Sequence, residues 1–145
     1  MRIALVLGPY RPGACGVSDY ARLLGEKLEK KGHSCQRISI DPSSTSSFSS
    51  LADNLPEVDI ISLQFAPYAF SPNGLSGSAL LKFGQAVRNR NLQVMFHEIW
   101  IGTYPRAPWR ERWQGRRESP QAIYRLKPSA LKIFAENCHC ANQLP

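Results

Sequence analysis

The stretch "ALVLGPYRPGACGVSDYARLLGEKL", residues 4–28, passes from an apolar run through a loop rich in glycine and proline into a helical pattern. The apolar run ends at Gly8, as is typical of a strand covered on both faces in a parallel sheet. From Val17 to Lys31 the apolar residues keep the spacing of one helix face, and Gly32 follows as a C-terminal cap. The stretch therefore predicts a strand, a loop and a helix, which is how an α/β fold begins.

The same alternation continues along the chain. The sequence predicts strands at 2–8, 34–40, 58–65, 92–98 and 130–136, and further helices at 77–90 and 118–126. Strands that alternate with helices form right-handed βαβ units in a parallel sheet. We therefore predict an α/β fold with a doubly wound parallel sheet, formed by residues 1–145 as a single domain.

Composition limits the class of protein. The 145 residues are 43% hydrophobic and 20% charged, which is typical of a globular domain and not of a disordered or fibrous chain. No apolar run reaches the ~20 residues of a membrane span, and the N-terminal run is too short for a signal peptide. These features predict a cytoplasmic protein, with peripheral contact at the inner face of the membrane as a variant of that prediction.

The cysteines favour free thiols over a metal site. Cys15, Cys35, Cys138 and Cys140 are scattered, and only the last two are paired, in "NCHCANQ". A C-x-C pair with one histidine offers zinc ligands, but a closed zinc site needs four ligands in paired clusters. We therefore predict reduced, unbridged cysteines and no bound metal.

The formal charge of +7 is concentrated in "RAPWRERWQGRR", residues 106–117. This segment interleaves arginines with tryptophans: Arg106, Trp109, Arg110, Arg112, Trp113, Arg116 and Arg117. Such a pattern suits an anionic membrane surface, a single-stranded nucleic acid or an anionic acceptor molecule. Nucleic acid is disfavoured because no nucleic-acid-binding motif accompanies the segment. The alternative is a solvated loop whose tryptophans fold back onto the domain.

Three loops leave the carboxyl ends of the predicted strands, where open α/β sheets bind their ligands. They span residues 8–17, 64–77 and 97–117. The first contains Gly13 and Gly16 but matches neither the dinucleotide fingerprint nor the P-loop. A glycine-rich turn before a helix still favours an anion, which makes phosphate binding one interpretation. The other is a plain helix start capped by Ser18 or Asp19.

The second and third loops carry polar and aromatic candidates. Gln64 ends a strand and is followed by Tyr68 and Phe70, whose rings are suited either to stack on a sugar or to cap the core. His97 and Glu98 follow the fourth strand, where a titratable pair can hold a hydroxyl or a leaving phosphate. The alternative for His97 is a buried histidine with a backbone partner.

The segments "MRIALVLGPYRPGACGVSDYARLLGEKLEKKGH", "VDIISLQFAPYAFSPNGL" and "LQVMFHEIWIG" together resemble the N-terminal half of a GT-B glycosyltransferase, of the family 4 type. The resemblance implies a Rossmann-like domain that holds the acceptor and faces a second domain that holds a nucleotide-sugar donor. It implies no bound cofactor or metal, since the nucleotide-sugar is a substrate. A sugar or a lipid-linked acceptor is the implied partner, and the process is carbohydrate biosynthesis.

The resemblance also implies roles for particular residues. Gly16 would lie in the loop that touches the donor diphosphate and the acceptor, and His97 would face the transferred sugar with Glu98 beside it. The remaining implied substrate-binding residues are Gly13, Ser18, Gln64, Tyr68 and Phe70. One departure from the family lies in the first loop, where Cys15 replaces a glycine of the usual Gly-Gly pair.

The second departure is that the sequence contains no donor-binding domain with its acidic motif. Half a cleft cannot orient two substrates, so we expect this chain to be inactive alone. It is expected to act as the acceptor-binding domain of a glycosyltransferase, or as one subunit of a split enzyme whose partner chain carries the donor domain. The alternative is a non-catalytic α/β binding module.

Overall fold

A computed structural model describes residues 1–41, 50–71, 77–98, 102, 105–113, 115 and 132–135. The strands are β1 (Arg2–Leu7), β2 (Ser34–Ser39), β3 (Ile60–Phe65), β4 (Leu92–Phe96) and β5 (Lys132–Ala135). The helices are α1 (Gly16–Lys30), α2 (Pro67–Phe70) and α3 (Gly77–Ala86), with a 3-10 turn at Ala52–Asn54. Residues 109–113 are also helical.

The five strands form one sheet in the order β2-β1-β3-β4-β5, and every neighbouring pair is parallel. The predicted α/β fold with its parallel sheet is confirmed, and the arrangement is Rossmann-like. The chain progresses in one direction from β1 to β2 and in the other from β3 to β4. Because such crossovers are right-handed, α1 and α3 lie on opposite faces, and β1 and β3 flank the point where the strand order reverses.

The main apolar core lies on the α3 face of the sheet. Phe83 and Val87 pack there against alternate residues of β3 and β4, including Leu63, Phe65 and Phe96, and all five are essentially inaccessible to solvent. This alternation means that the intervening side chains of β3 point to the α1 face. Two of those are polar, and they belong to the candidate site described below.

Helix α1 ends as its sequence predicts but begins differently. Gly32, at φ +81°, closes the helix: its N–H donates to the Glu29 carbonyl (2.9 Å), and the His33 N–H donates to Leu28 (3.1 Å). These two bonds form a Schellman motif, in which glycine is favoured at the left-handed position. At the other end the N-cap is Cys15, which makes no side-chain capping hydrogen bond. The interpretation of Ser18 or Asp19 as the cap is therefore wrong.

Other boundaries shift for local reasons. Helix α3 ends at Ala86 and residues 87–89 form a turn, so the prediction of a helix to residue 90 was too long. Strand β4 ends at Phe96 because the next two amides both turn toward the Phe65 carbonyl. Helix α2 was not predicted, although Pro67 is a favourable first helical residue. The predicted helix at 118–126 lies outside the described residues.

Candidate functional site

The site lies at the carboxyl ends of β1, β3 and β4. Gly8, which follows β1, packs directly on α2, which follows β3: a Cβ on Gly8 would lie 2.4 Å from the Ala69 carbonyl oxygen. Ser39, at the end of β2, donates its hydroxyl to the Gly8 carbonyl (3.1 Å) and accepts the Tyr10 amide (3.0 Å). The first two loops of the sequence prediction are thus brought together at the reversal of the strand order.

Side chains of α1 hold the glycine-rich loop in place. The Ser18 hydroxyl accepts the Arg11 N–H (2.9 Å) and donates to the Pro9 carbonyl (3.1 Å). The Asp19 carboxylate accepts the Gly13 N–H (2.9 Å). Ser18 is fully buried, so it positions the loop and does not face a ligand. The Arg11 and Gly13 amides already have acceptors inside the protein, and a phosphate would have to be held by other groups.

Gly13 and Gly16 differ in what they contribute. Gly13 adopts φ +81°, a conformation that favours glycine whatever the surrounding space. Gly16 has nothing within 4 Å of the position of a Cβ, so it opens the first turn of α1 to solvent. Between them lies Cys15, a free thiol that makes no capping hydrogen bond. The nearby backbone amide of Ser18 lowers the pKa of this thiol.

His97 joins a buried polar pair on the α1 face of the sheet. Gln64, fully buried, donates its Nε2 to the Ser62 hydroxyl at 2.9 Å, and its Oε1 lies 2.9 Å from His97 Nε2. With the amide in this orientation the Gln64 oxygen is the acceptor, so His97 Nε2 carries a proton. The predicted residues Gln64 and His97 are therefore in contact. Gln64 is itself inaccessible, so the prediction that its side chain contacts a substrate is wrong for this conformation.

Tyr20 of α1 completes the surroundings of His97. The two rings meet edge to face, with centroids 5.0 Å apart and planes inclined by 74°. Tyr20 was not predicted as a site residue, because it fits the helical spacing of the apolar residues between Val17 and Lys31. No local pattern distinguishes the two roles, since the contact depends on how α1 crosses the sheet. His97 is half-buried, fixed by Gln64 on one side and by Tyr20 on another.

Glu98 adjoins His97 at the end of β4. Its backbone N–H lies 3.4 Å from the Phe65 carbonyl, which also accepts the His97 N–H at 2.9 Å. The residue remains exposed over part of its surface, yet desolvation raises the pKa of its carboxyl above the usual value. A carboxyl tuned in this direction is better suited to hold or donate a proton near neutral pH.

This raised pKa predicts how stability depends on pH at Glu98. The folded state holds the proton more tightly than the unfolded chain, so stability falls as pH rises from the ordinary value of 4.5 through the raised folded value. We expect Glu98→Gln to stabilise the protein at neutral pH by less than about 1 kcal/mol, because the carboxyl is partly exposed. Urea unfolding of the variant and the wild type at neutral pH and at pH ~4 measures this difference in the free energy of unfolding. A gain that persists undiminished at the acidic pH would contradict the assignment.

Tyr68 connects the second loop to the third. Its hydroxyl donates to Glu111 Oε2 (2.9 Å) and accepts the Gly102 N–H (3.0 Å). Gly102 has φ +70°, and a Cβ there would lie 2.5 Å from the Arg112 nitrogen, so the third loop packs closely on its own helical segment. Glu111 was not predicted, although it is the one acidic residue among the arginines of residues 106–113.

Phe70 belongs to the core. It is 4% exposed and stacks on Phe65 with ring centroids 6.3 Å apart, so of the two interpretations of this ring the structure supports the core cap. Trp109 and Trp113, by contrast, are 72% and 58% exposed. The interpretation that these tryptophans fold back onto the domain is therefore wrong. Arg116 and Arg117 lie outside the described residues.

The described part of the chain contains neither a metal-ligating cluster nor a membrane-spanning helix. Among the described ranges, no group of three or more His, Cys, Asp or Glu residues is placed to hold a metal ion. Cys35 is a free thiol like Cys15, and Cys138 and Cys140 lie outside those ranges. Within the same part of the chain, no helix has the length and apolar character needed to cross a membrane.

Comparisons with known proteins assign no family. Neither protein-family models, nor curated proteins, nor solved structures show a significant similarity to this chain. The fold and the site geometry are therefore the basis for a functional proposal.

Proposed function

We propose that this domain is the acceptor-binding half of a glycosyltransferase that uses a nucleotide-sugar donor. The observation that carries the proposal is the His97–Gln64 contact at the carboxyl end of the sheet. A half-buried imidazole fixed by a buried amide, with a partly desolvated carboxyl next to it, is equipped to hold an acceptor hydroxyl and to exchange its proton.

Each residue has a distinct part in this proposal. His97 and Glu98 face the reacting hydroxyl as the catalytic pair. Gln64 is a positioning residue, because its oxygen fixes the Nε2–H form of the imidazole. Gly16 leaves room for a substrate against the first turn of α1, where the positive end of the helix dipole favours a negative group such as a donor phosphate.

A second candidate is a non-catalytic binding module with the same fold. It is favoured by the loop amides of Arg11 and Gly13, which donate to Ser18 and Asp19 of α1. An aspartate in that position repels a phosphate. The two candidates differ in whether a bound acceptor is chemically changed.

The test is sugar transfer by this chain together with a nucleotide-sugar-binding domain, on the same polypeptide or as a separate subunit. Radiolabelled nucleotide-sugars are offered with sugar and lipid-linked acceptors, and the labelled product is counted. A second measurement is the ¹H–¹⁵N spectrum of this chain alone during titration with each acceptor. We expect shifts at Gly16 and His97 but not at His33, which follows the far end of α1.

Three results are informative. Product together with shifts at the site supports the transferase. Shifts without product from any donor support the binding module. If the spectrum is that of a folded protein and neither product nor shifts are observed, both candidates are contradicted.

A further inference from the structure

The segment of residues 105–113, together with Gly115, has an unusual division of side chains. Among its described residues, those that face the domain are Ala107, Glu111 and Gly115, spaced four apart: Ala107 and Gly115 are buried, and Glu111 is half-buried. The segment is helical over 109–113, and the Arg112 N–H donates to the Pro108 carbonyl at 3.1 Å. Small residues therefore face inward, and the bulky aromatic side chains do not cover the core.

The outward face carries both tryptophans. At about 100° per residue, Trp109 and Trp113 lie on the side of the helix opposite Glu111. They are 72% and 58% exposed, and apart from Met1 no other large hydrophobic residue among those described is as exposed. Arg110 and Arg112 flank them to either side, and the Arg110 guanidinium lies 5.6 Å from the Trp109 ring centroid.

The segment is also fixed to the domain. Glu111, the only acidic residue among residues 105–113, lies on the inner side of the segment, where its carboxylate accepts the Tyr68 hydroxyl. Arg106, exposed at φ 67°, adds a third cation near the start of the helix. The exposed side chains of residues 106–113 therefore include two indole rings and three positive charges. None of the exposed side chains described in this segment is acidic.

We propose that the outer face of residues 106–113 docks on an anionic lipid surface. Indole rings partition to the boundary between headgroups and acyl chains, and flanking arginines reach the lipid phosphates from there. Charge complementarity with anionic headgroups adds attraction that falls off within a Debye length. The docking does not depend on sugar transfer, so it stands or falls separately from the proposed function.

A single-stranded nucleic acid fits the geometry less well. Stacking on successive bases needs aromatic side chains along a positively charged groove that tracks the backbone. Here both rings lie on the exposed face of one short helix, which suits insertion into a fluid surface. The nucleic acid is kept as an outcome of the test.

The experiment is co-sedimentation of the whole chain with vesicles of phosphatidylcholine alone or of phosphatidylcholine mixed with phosphatidylglycerol. We expect binding to the anionic vesicles only. The triple variant Arg106→Gln/Arg110→Gln/Arg112→Gln should lower the partition coefficient on the order of a hundredfold, because each arginine contributes about fivefold. The double variant Trp109→Ser/Trp113→Ser should also lower it by at least about tenfold.

The matched control removes the same charge elsewhere. Lys27, Lys30 and Lys31 are exposed at the C-terminal end of α1, and changing all three to glutamine should leave binding near the wild-type level. Brominated lipid provides a readout that needs no variant, since it should quench the tryptophan fluorescence of the wild-type protein.

The proposal is overturned by any of four results. The first two are equal binding to neutral and anionic vesicles, and no binding to either kind of vesicle. The third is a loss of vesicle binding in the lysine control equal to that in the arginine variant. The fourth is displacement of vesicles by a single-stranded oligonucleotide that binds more tightly through the same arginines. Loss of vesicle binding confined to the arginine and tryptophan variants supports it.

Discussion

The His97→Ala variant is expected to lower kcat for sugar transfer by about 100-fold or more, measured in the assembly with the donor-binding domain. The substitution removes the one titratable ring that the structure fixes beside Gln64 at the end of β4. If the imidazole acts mainly on the reacting hydroxyl, KM for the acceptor should change much less than kcat, because the lost interaction belongs to the transition state. Initial rates at varied acceptor concentration separate the two constants.

The matched control is His33→Ala. His33 is also partly exposed, but it follows the far end of α1, where its backbone closes the helix. It directly precedes β2, at the edge of the parallel sheet opposite the carboxyl ends where the site lies, and the variant should keep the wild-type kcat. An unchanged kcat in His97→Ala would remove this residue from the mechanism. An equal decrease in both variants would indicate a general loss of folding.

The Gly8→Ala variant is expected to lower the free energy of unfolding by about 3 kcal/mol, near the upper end for overpacking. The added methyl carbon would lie 2.4 Å from the Ala69 carbonyl oxygen and 2.5 Å from the Ala69 Cβ. Since one of these neighbours is backbone, α2 or the first loop must move. The change corresponds to a decrease of roughly 10 °C in Tm, measured by thermal unfolding.

Gly16→Ala is the control for that substitution. A Cβ at Gly16 meets nothing within 4 Å, and alanine favours the helical conformation of this first residue of α1. We expect a Tm equal to or slightly above that of the wild type. A Gly8→Ala protein as stable as Gly16→Ala would show that the contact between the two loops is looser than described.

Three strands, β1, β3 and β4, could be predicted from the sequence because each is a short, mainly apolar run that the sheet buries. The edge strand β2 is mostly polar and only partly buried, and its position after the first helix indicated it. The end of α1 could also be predicted, since Gly32 is the residue that the left-handed position favours. The first residue of α1 could not be predicted in the same way. Ser18 and Asp19 have the right side chains for a cap, but the loop before them offers competing backbone partners, and these prevail.

Only part of the site could be predicted from the sequence, because some of its contacts depend on the tertiary structure. Sequence position placed Gln64 and His97 at the ends of two strands, and their contact follows from the pairing of β3 with β4. Tyr20 and Glu111 were missed because their contacts join parts of the chain that are distant in sequence. Their partners depend on the paths of a helix and of a loop, which no local spacing encodes.

The hydrogen bonds that Ser18 and Asp19 make to the glycine-rich loop have a consequence for affinity. They fix the backbone of Pro9, Arg11 and Gly13 before any ligand arrives. Loop ordering is one of the entropic costs of association, and here folding has already met it. A ligand that fits this conformation binds without that cost. One that needs a different loop conformation must first break these bonds, so the loop selects by shape as well as by chemistry.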